Sequence, residues 1–252
     1  MIREYYQAGE RKMELEFYLP EEKRESCPCV VFFHGGGFTS RNMDSFSRHC
    51  EYFSSRGFIC VNADYGLVNE TGDLKECYRD GFRAYEEVLK LADKYGIDRQ
   101  KTVVCGSSSG GSLAAHVALI TGKPVKTVLI NPGVAWLYGN VEYIESEGSG
   151  TGRIIEQEAH RHQDWEQAYY LLEEHRLPDT LIMVGTADEV CYRGSALFHQ
   201  KALEKGYESK LVLFEGLKHG QFNWQRSEGN TGFSKSLEIM DEFLKNMIST
   251  EG

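Results

Sequence analysis

Residues 102–115 read Thr-Val-Val-Cys-Gly-Ser-Ser-Ser-Gly-Gly-Ser-Leu-Ala-Ala, and this stretch decides the fold. Thr102–Cys105 is β-branched and apolar without alternation, the composition of a strand covered on both faces. Ser109–Thr121 carries a helical pattern. Between them, Gly106–Gly111 matches G-x-S-x-G in the strand-to-helix context of a nucleophile elbow. At so sharp a turn the two outer glycines remove Cβ atoms that would clash. Ser108 is the middle residue. Its Oγ is expected at the carboxyl end of a sheet, over a helix N-terminus whose N–H groups favour negative charge. Ser107 and Ser109 become rivals only in another register. A flexible Gly/Ser turn is the competing interpretation, and the flanking strand and helix weigh against it.

The same rhythm extends both ways. Strands are expected at Ile2–Gln7, Met13–Leu19, Cys29–Phe33, Phe58–Ala63, Thr102–Cys105, Thr127–Asn131, Thr180–Val184 and Lys210–Phe214. The last six read as strands covered on both faces. Helical periods fall at Ser45–Ser55, Asp73–Tyr95, Ser109–Thr121, Gly194–Lys205 and Ser234–Ile248. In the second of these, Asp73 suits an N-cap and Gly96 a C′ position. The alternation predicts a mostly parallel eight-stranded sheet with helices on both faces. Residues 134–179 break the rhythm with a connection longer than usual; such an insertion before the penultimate strand is expected to form a lid or pocket wall. No linker divides the chain, so 1–252 reads as one domain.

Bulk properties bound the function. The chain has 252 residues, 41% hydrophobic and 26% charged, with a net charge of −10. That acidity disfavours nucleic acid as a partner. No apolar run approaches the roughly 18 residues of a membrane span, and no signal peptide opens the chain. Seven scattered cysteines, an odd number, suit free thiols in a reducing compartment, so a cytoplasmic location is expected.

A second motif, His34-Gly35-Gly36-Gly37-Phe38, follows the strand Cys29–Phe33. A tetrahedral intermediate places negative charge on the former carbonyl oxygen, and preorganised backbone N–H groups stabilise it. The donors expected here are the amides of Gly36, Gly37 and Ser109. A phosphate loop is disfavoured, because neither a following Lys-Ser/Thr nor a G-x-G-x-x-G spacing is present.

These residues, together with Asp64-Tyr65, Gly185-Thr186-Ala187-Asp188 and Glu215–Gly220, resemble the α/β-hydrolase superfamily. The likeness is nearest to the hormone-sensitive-lipase-like branch and to small bacterial acetyl esterases and carboxylesterases. It runs over about residues 28–224. Two departures stand out. The branch usually shows Asp-Tyr-Arg-Leu where this chain has Asp64-Tyr65-Gly66-Leu67, and it usually carries a longer N-terminal cap. The resemblance implies a single-domain α/β-hydrolase fold and a triad in the order serine, acid, histidine. The residues agree: Asp188 and His219 each follow a strand, on loops at the edge that carries the serine. Glu189 is the neighbouring rival of Asp188. Ser108 is then the nucleophile, His219 the base and Asp188 the residue that orients it.

Phe38, Trp136 and Phe222 are candidate pocket residues, with core packing as the alternative at each. His34 is expected to orient the glycine loop, and His116 to pack within its helix. His160 and His162 stand two apart and share no helix face, so no metal is expected, and no cofactor. Cys27-Pro28-Cys29 reads as incidental. The expected function is hydrolysis of short-chain carboxylic esters, acetyl esters among them, with a small-molecule ester as partner and a homodimer left open. The alternatives are an amide-directed hydrolase such as an arylformamidase, and a non-catalytic small-molecule-binding protein of the same fold.

Overall fold

In the computed structural model, residues 1–22, 24–135, 167–226 and 231–248 are described. Eight strands form one sheet in the order β1-β2-β4-β3-β5-β6-β7-β8. They are β1 Ile2–Ala8, β2 Arg11–Tyr18, β3 Cys27–Phe33, β4 Ile59–Ala63, β5 Ile97–Ser107, β6 Lys126–Ile130, β7 Asp179–Gly185 and β8 Ser209–Phe214. The pairs β1–β2 and β2–β4 are antiparallel, and the rest of the sheet is parallel. The main helices are α1 Ser47–Ser55, α2 Leu74–Lys90, α3 Ser109–Thr121, α4 Tyr192–Glu204 and α5 Thr231–Leu244.

Strand patterning follows from position in the sheet. In β2, Met13, Leu15 and Phe17 are buried while Lys12, Glu14 and Glu16 between them are only partly so or exposed, the period-two pattern of a half-covered strand. All of β3 is buried, because helices cover both its faces. Val31 and Phe33 pack in one core with α2, α3 and α4 residues such as Tyr85, Leu113 and Phe198. Val30 and Phe32 pack in the other with Cys50, Phe53, Phe233, Leu237 and Met240 of α1 and α5. Each such fully buried side chain contributes about 1.5–3 kcal/mol of transfer free energy.

Three expectations are corrected. β8 is not covered on both faces; apart from buried Phe214 its residues are exposed or half-buried, because it is an edge strand and pairs with β7 alone. The helical run 73–95 is broken at Leu91 (φ −80°, ψ 2°), and a separate turn, Ala92–Tyr95, ends at Gly96 with φ +78°. Asp73 does cap α2, its carboxylate accepting from the Lys75 amide at 2.9 Å. β5 also begins earlier than expected, because Ile97 pairs with Cys27 across an irregularity in β3.

At the site of the Asp-Tyr-Arg-Leu departure, Gly66 leaves room that another strand uses. A Cβ on Gly66 would stand 2.4 Å from Asp80 Oδ2 and 3.1 Å from Arg11 Nε. Asp80, fully buried on α2, accepts from Arg11 at 2.6 Å, from Arg83 at 2.6 Å and from the Gly66 amide at 3.1 Å. Arg11 of β2 therefore passes through the space that a side chain at position 66 would occupy.

Candidate active site

Ser108 lies between β5 and α3 with φ 54° and ψ −119°. This is a region that L residues rarely occupy, and such strain persists only where the surroundings over-determine it. The surroundings here are backbone. A Cβ on Gly106 would meet the Gly110 carbonyl oxygen at 2.0 Å, and one on Gly110 would meet the Phe33 carbonyl oxygen at 2.0 Å. Both glycines of the motif are required because the turn is pressed against itself and against the end of β3.

The glycine loop reaches the same point. A Cβ on Gly35 would stand 3.0 Å from the Ser107 carbonyl oxygen and 3.3 Å from Ser108 Cβ. Gly36, Gly37 and Phe38 take φ of +134°, +60° and +60°, and the Gly36 carbonyl accepts from the Thr39 and Ser40 amides at 3.1 and 3.0 Å. Ser109 opens α3, where the first amides have no partner within the helix. The loop is anchored from behind. Tyr65 donates to the His34 carbonyl at 2.7 Å and lies 3.4 Å from Ser109 Oγ; burial pushes its phenol pKa up. His34 is fully buried, stacks on Tyr65 and places Nδ1 2.7 Å from the Gly35 carbonyl oxygen. Arg41 bridges Asp64 at 2.7 Å and Glu70 at 2.7 and 2.8 Å.

Asp188 and His219 arrive on loops that are joined to each other. A Cβ on Gly185, the last residue of β7, would meet the Leu217 carbonyl oxygen at 2.0 Å. The Ala187 amide donates to that carbonyl at 3.1 Å, the Thr186 amide to the Phe214 carbonyl at 3.0 Å, and the Gly216 amide to Thr186 Oγ1 at 2.9 Å. The run Gly-Thr-Ala-Asp is therefore read residue by residue: close approach, a side-chain clasp, a backbone clasp, and then the carboxylate.

These elements bring Ser108, His219 and Asp188 together. Ser108 Oγ lies 3.1 Å from His219 Nε2, and His219 Nδ1 lies 3.0 Å from Asp188 Oδ2 and 3.1 Å from Oδ1. Asp188 is 1% exposed, and its Oδ1 accepts from the Val190 and Cys191 amides at 3.0 and 2.9 Å. The His219 side chain is 31% exposed, so the imidazole meets solvent while the Asp188 carboxylate does not. Such a chain can move a proton from the hydroxyl to the imidazole while the carboxylate holds the ring.

Phe38 and Phe222 are 1% and 2% exposed, so they serve as core residues in place of the open pocket walls considered for them. Phe38 packs against Tyr65 and Tyr78 behind the glycine loop, and Phe222 against Phe214 behind the histidine loop. Trp136, His160 and His162 lie outside the described residues, as does most of the 134–179 insertion. His116 packs against Tyr78 and Phe82.

Among the described residues, Asp188, Cys191 and His219 hold metal-ligand atoms within 4.8 Å of one another. Burial raises the Cys191 thiol well above its ordinary pKa, which disfavours the thiolate that a metal requires. All seven cysteines are free and buried. No helix among the described residues is long and apolar enough to cross a membrane.

One close residue had no motif to announce it. Asn131, fully buried just past β6 with φ +36°, places its carboxamide 3.3 Å from Ser107 Oγ and 3.3 Å from His219 Nδ1.

Known proteins share this arrangement of chain. A thermophilic esterase of Thermogutta terrifontis, solved with propionate bound, superimposes with a TM-score of 0.82 at 28% identity over 100% of this chain and 96% of that one. Human arylacetamide deacetylase-like 2 is 32% identical over 135 residues, 48% of this chain and 33% of that protein. The rice gibberellin receptor GID1 is 31% identical over 167 residues, 64% of this chain and 46% of that protein. The chain thus spans a third and just under half of the length of these two relatives. Residues 30–223 match the alpha/beta hydrolase fold family, and the chain belongs to it.

Proposed function

We propose that this protein is a serine esterase that hydrolyses short-chain carboxylic esters through an acyl-enzyme on Ser108. The observation that carries the reading is the continuous contact from Ser108 Oγ through His219 to buried Asp188, at 3.1 and 3.0 Å. In this reading His219 Nε2 takes the Ser108 proton as Oγ forms a bond to the ester carbonyl carbon. The oxyanion so formed faces the amides of Gly36, Gly37 and Ser109. Collapse breaks the ester C–O bond, and His219 returns the proton to the departing alcohol. Water, deprotonated by His219, then attacks the acyl-enzyme and frees the acid and Ser108. Asp188 holds the ring and stabilises the imidazolium at both steps. Phe38 and Phe222 act by fixing the two loops.

One likeness supports short acyl groups: the Thermogutta esterase has been solved with propionate and with butyrate bound. The name of the human relative keeps amide substrates in view. The receptor from rice favours a second reading, that of a non-catalytic small-molecule binder. A panel of aryl acetate, propionate, butyrate and octanoate esters, run beside acetamides and N-formyl compounds, separates the three. Ester turnover that falls beyond butyrate and vanishes in Ser108→Ala is expected. Wild-type rates in Ser108→Ala would reject the nucleophile. Absence of any turnover, with a saturable ligand shift, would favour the receptor reading.

A further inference from the structure

We propose that Asn131 is a positioning residue for the base, supplying His219 with a second hydrogen-bond acceptor from a third strand. This rests on the reading of Ser108, His219 and Asp188 as a relay.

Three observations converge on Asn131. It is fully buried although polar, so its carboxamide must be hydrogen-bonded where it stands. It holds φ +36°, which asparagine tolerates better than most residues. Its amide donates to the Met183 carbonyl of β7 at 2.7 Å. The last contact fixes the residue between the strand that carries the serine and the strand that leads to the acid.

The direction of the side chain follows from the chemistry of the imidazole. For Nε2 to accept the Ser108 proton, the ring proton must sit on Nδ1, where it is donated to Asp188. A carboxamide N–H turned to a protonated Nδ1 would set donor against donor. As placed, Asn131 Nδ2 lies 3.3 Å from His219 Nδ1 and Oδ1 accepts from Ser107 Oγ at 3.3 Å; a half-turn about the Cβ–Cγ bond exchanges the two atoms, turning the oxygen towards the protonated His219 and the nitrogen towards Ser107 Oγ. After that exchange the Nδ1–H faces three oxygens, two from Asp188 at 3.1 and 3.0 Å and one from Asn131. When the ring takes the serine proton, the carboxamide dipole opposes the new positive charge. Its contact with Ser107, the residue before the nucleophile, ties ring position to the elbow itself.

The position also defines an alternative place for the acid. A carboxylate at 131 would present its charge to the same ring nitrogen that Asp188 serves, from the neighbouring loop. The test uses Asn131→Gly, which removes the side chain without strain at this φ, and a swap in which Asn131→Asp is combined with Asp188→Asn. Thermal midpoints verify that each variant is folded, and a serine-directed phosphonate that labels Ser108 in the wild type verifies the underlying reading separately. Asn131→Gly is expected to lower kcat about tenfold with KM unchanged, the effect of one hydrogen bond. The swap is expected to recover at least about tenfold of what Asp188→Asn alone loses, since a restored charge at the same nitrogen replaces the one removed. Wild-type kcat in folded Asn131→Gly, or no recovery in the swap, would overturn the proposal while leaving the nucleophile in place. Failure of the phosphonate to label Ser108 would instead remove the reading on which it rests.

Discussion

Asp80 and Asp188 are the same residue under the same burial, 0% and 1% exposed, yet they are held in opposite ways. Asp80 sits between two guanidiniums, Arg11 and Arg83, with the Gly66 amide as a third donor. Its charge is matched by fixed cations whatever the state of the rest of the molecule. Asp188 is held by the Val190 and Cys191 amides and by an imidazole. These donors are dipoles and do not cancel a charge on the carboxylate, so it can respond when a cation forms beside it. The lesson is that an ion pair makes a buried acid structural, whereas neutral donors leave it available for chemistry.

The comparison can be broken at either end. Asp188→Asn should lower kcat/KM by about three to four orders of magnitude, with the thermal midpoint little changed. A large loss of stability in its place would make Asp188 a structural acid. Asp80→Asn should do the reverse. Removing one partner of a buried pair costs about 3–5 kcal/mol, and the partial exposure of Arg11 and Arg83, 28% and 39%, holds the expected loss near the lower value. Urea denaturation measures it, and activity per folded molecule should stay within about twofold. Gly66→Ala should cost about 1–3 kcal/mol through overpacking, because its Cβ would displace Asp80 Oδ2 at 2.4 Å; an unchanged denaturation midpoint would show that Asp80 and Arg11 yield freely.

A third buried ionisable group sharpens the contrast, because it has neither ions nor dipoles. His49 lies among Phe32, Phe46 and Phe233 with both ring nitrogens unpartnered among the described residues. Burial pushes its pKa down to about 3 from 6.5. The unfolded chain takes up a proton below pH 6.5 that the folded chain refuses. Stability is therefore lost as pH falls from 6.5 towards 3, by up to about 1.4 kcal/mol per pH unit. The difference between wild type and His49→Leu, followed by denaturation midpoints across that range, should show this slope. Parallel curves would mean that the ring finds a partner.

Much of this architecture was legible in the chain. The eight strands stand out because buried runs and the Gly-x-Ser-x-Gly turn are local signals, and the loops bearing Asp188 and His219 follow from strand ends in a parallel sheet. What escaped was set by contacts distant in sequence. Asn131 reads as the last residue of a strand, because its partners Ser107 and His219 come from two other loops. Gly66 reads as a missing arginine, because the side chain that passes through its space is that of Arg11, 55 residues earlier. The openness of β8 depends on its being last in the sheet order, and the break at Leu91 interrupts an apolar period that continues across it. Phe38 and Phe222 were read as pocket or core, and only packing against Tyr65, Tyr78 and Phe214 separates those roles.

The clasp between the Gly185–Asp188 loop and the Leu217–His219 loop has a dynamic corollary. β8 is one margin of the sheet and pairs with β7 alone. Because backbone contacts bind the two loops with no room for a side chain at Gly185, a shift of this edge would carry the Asp188 carboxylate and the His219 imidazole as one body. The separation it alters is that between Nε2 and the hydroxyl at the end of β5, three strands inward. Breathing of the molecule at this edge would thus switch the serine in and out of reach while the imidazole and its carboxylate stay paired.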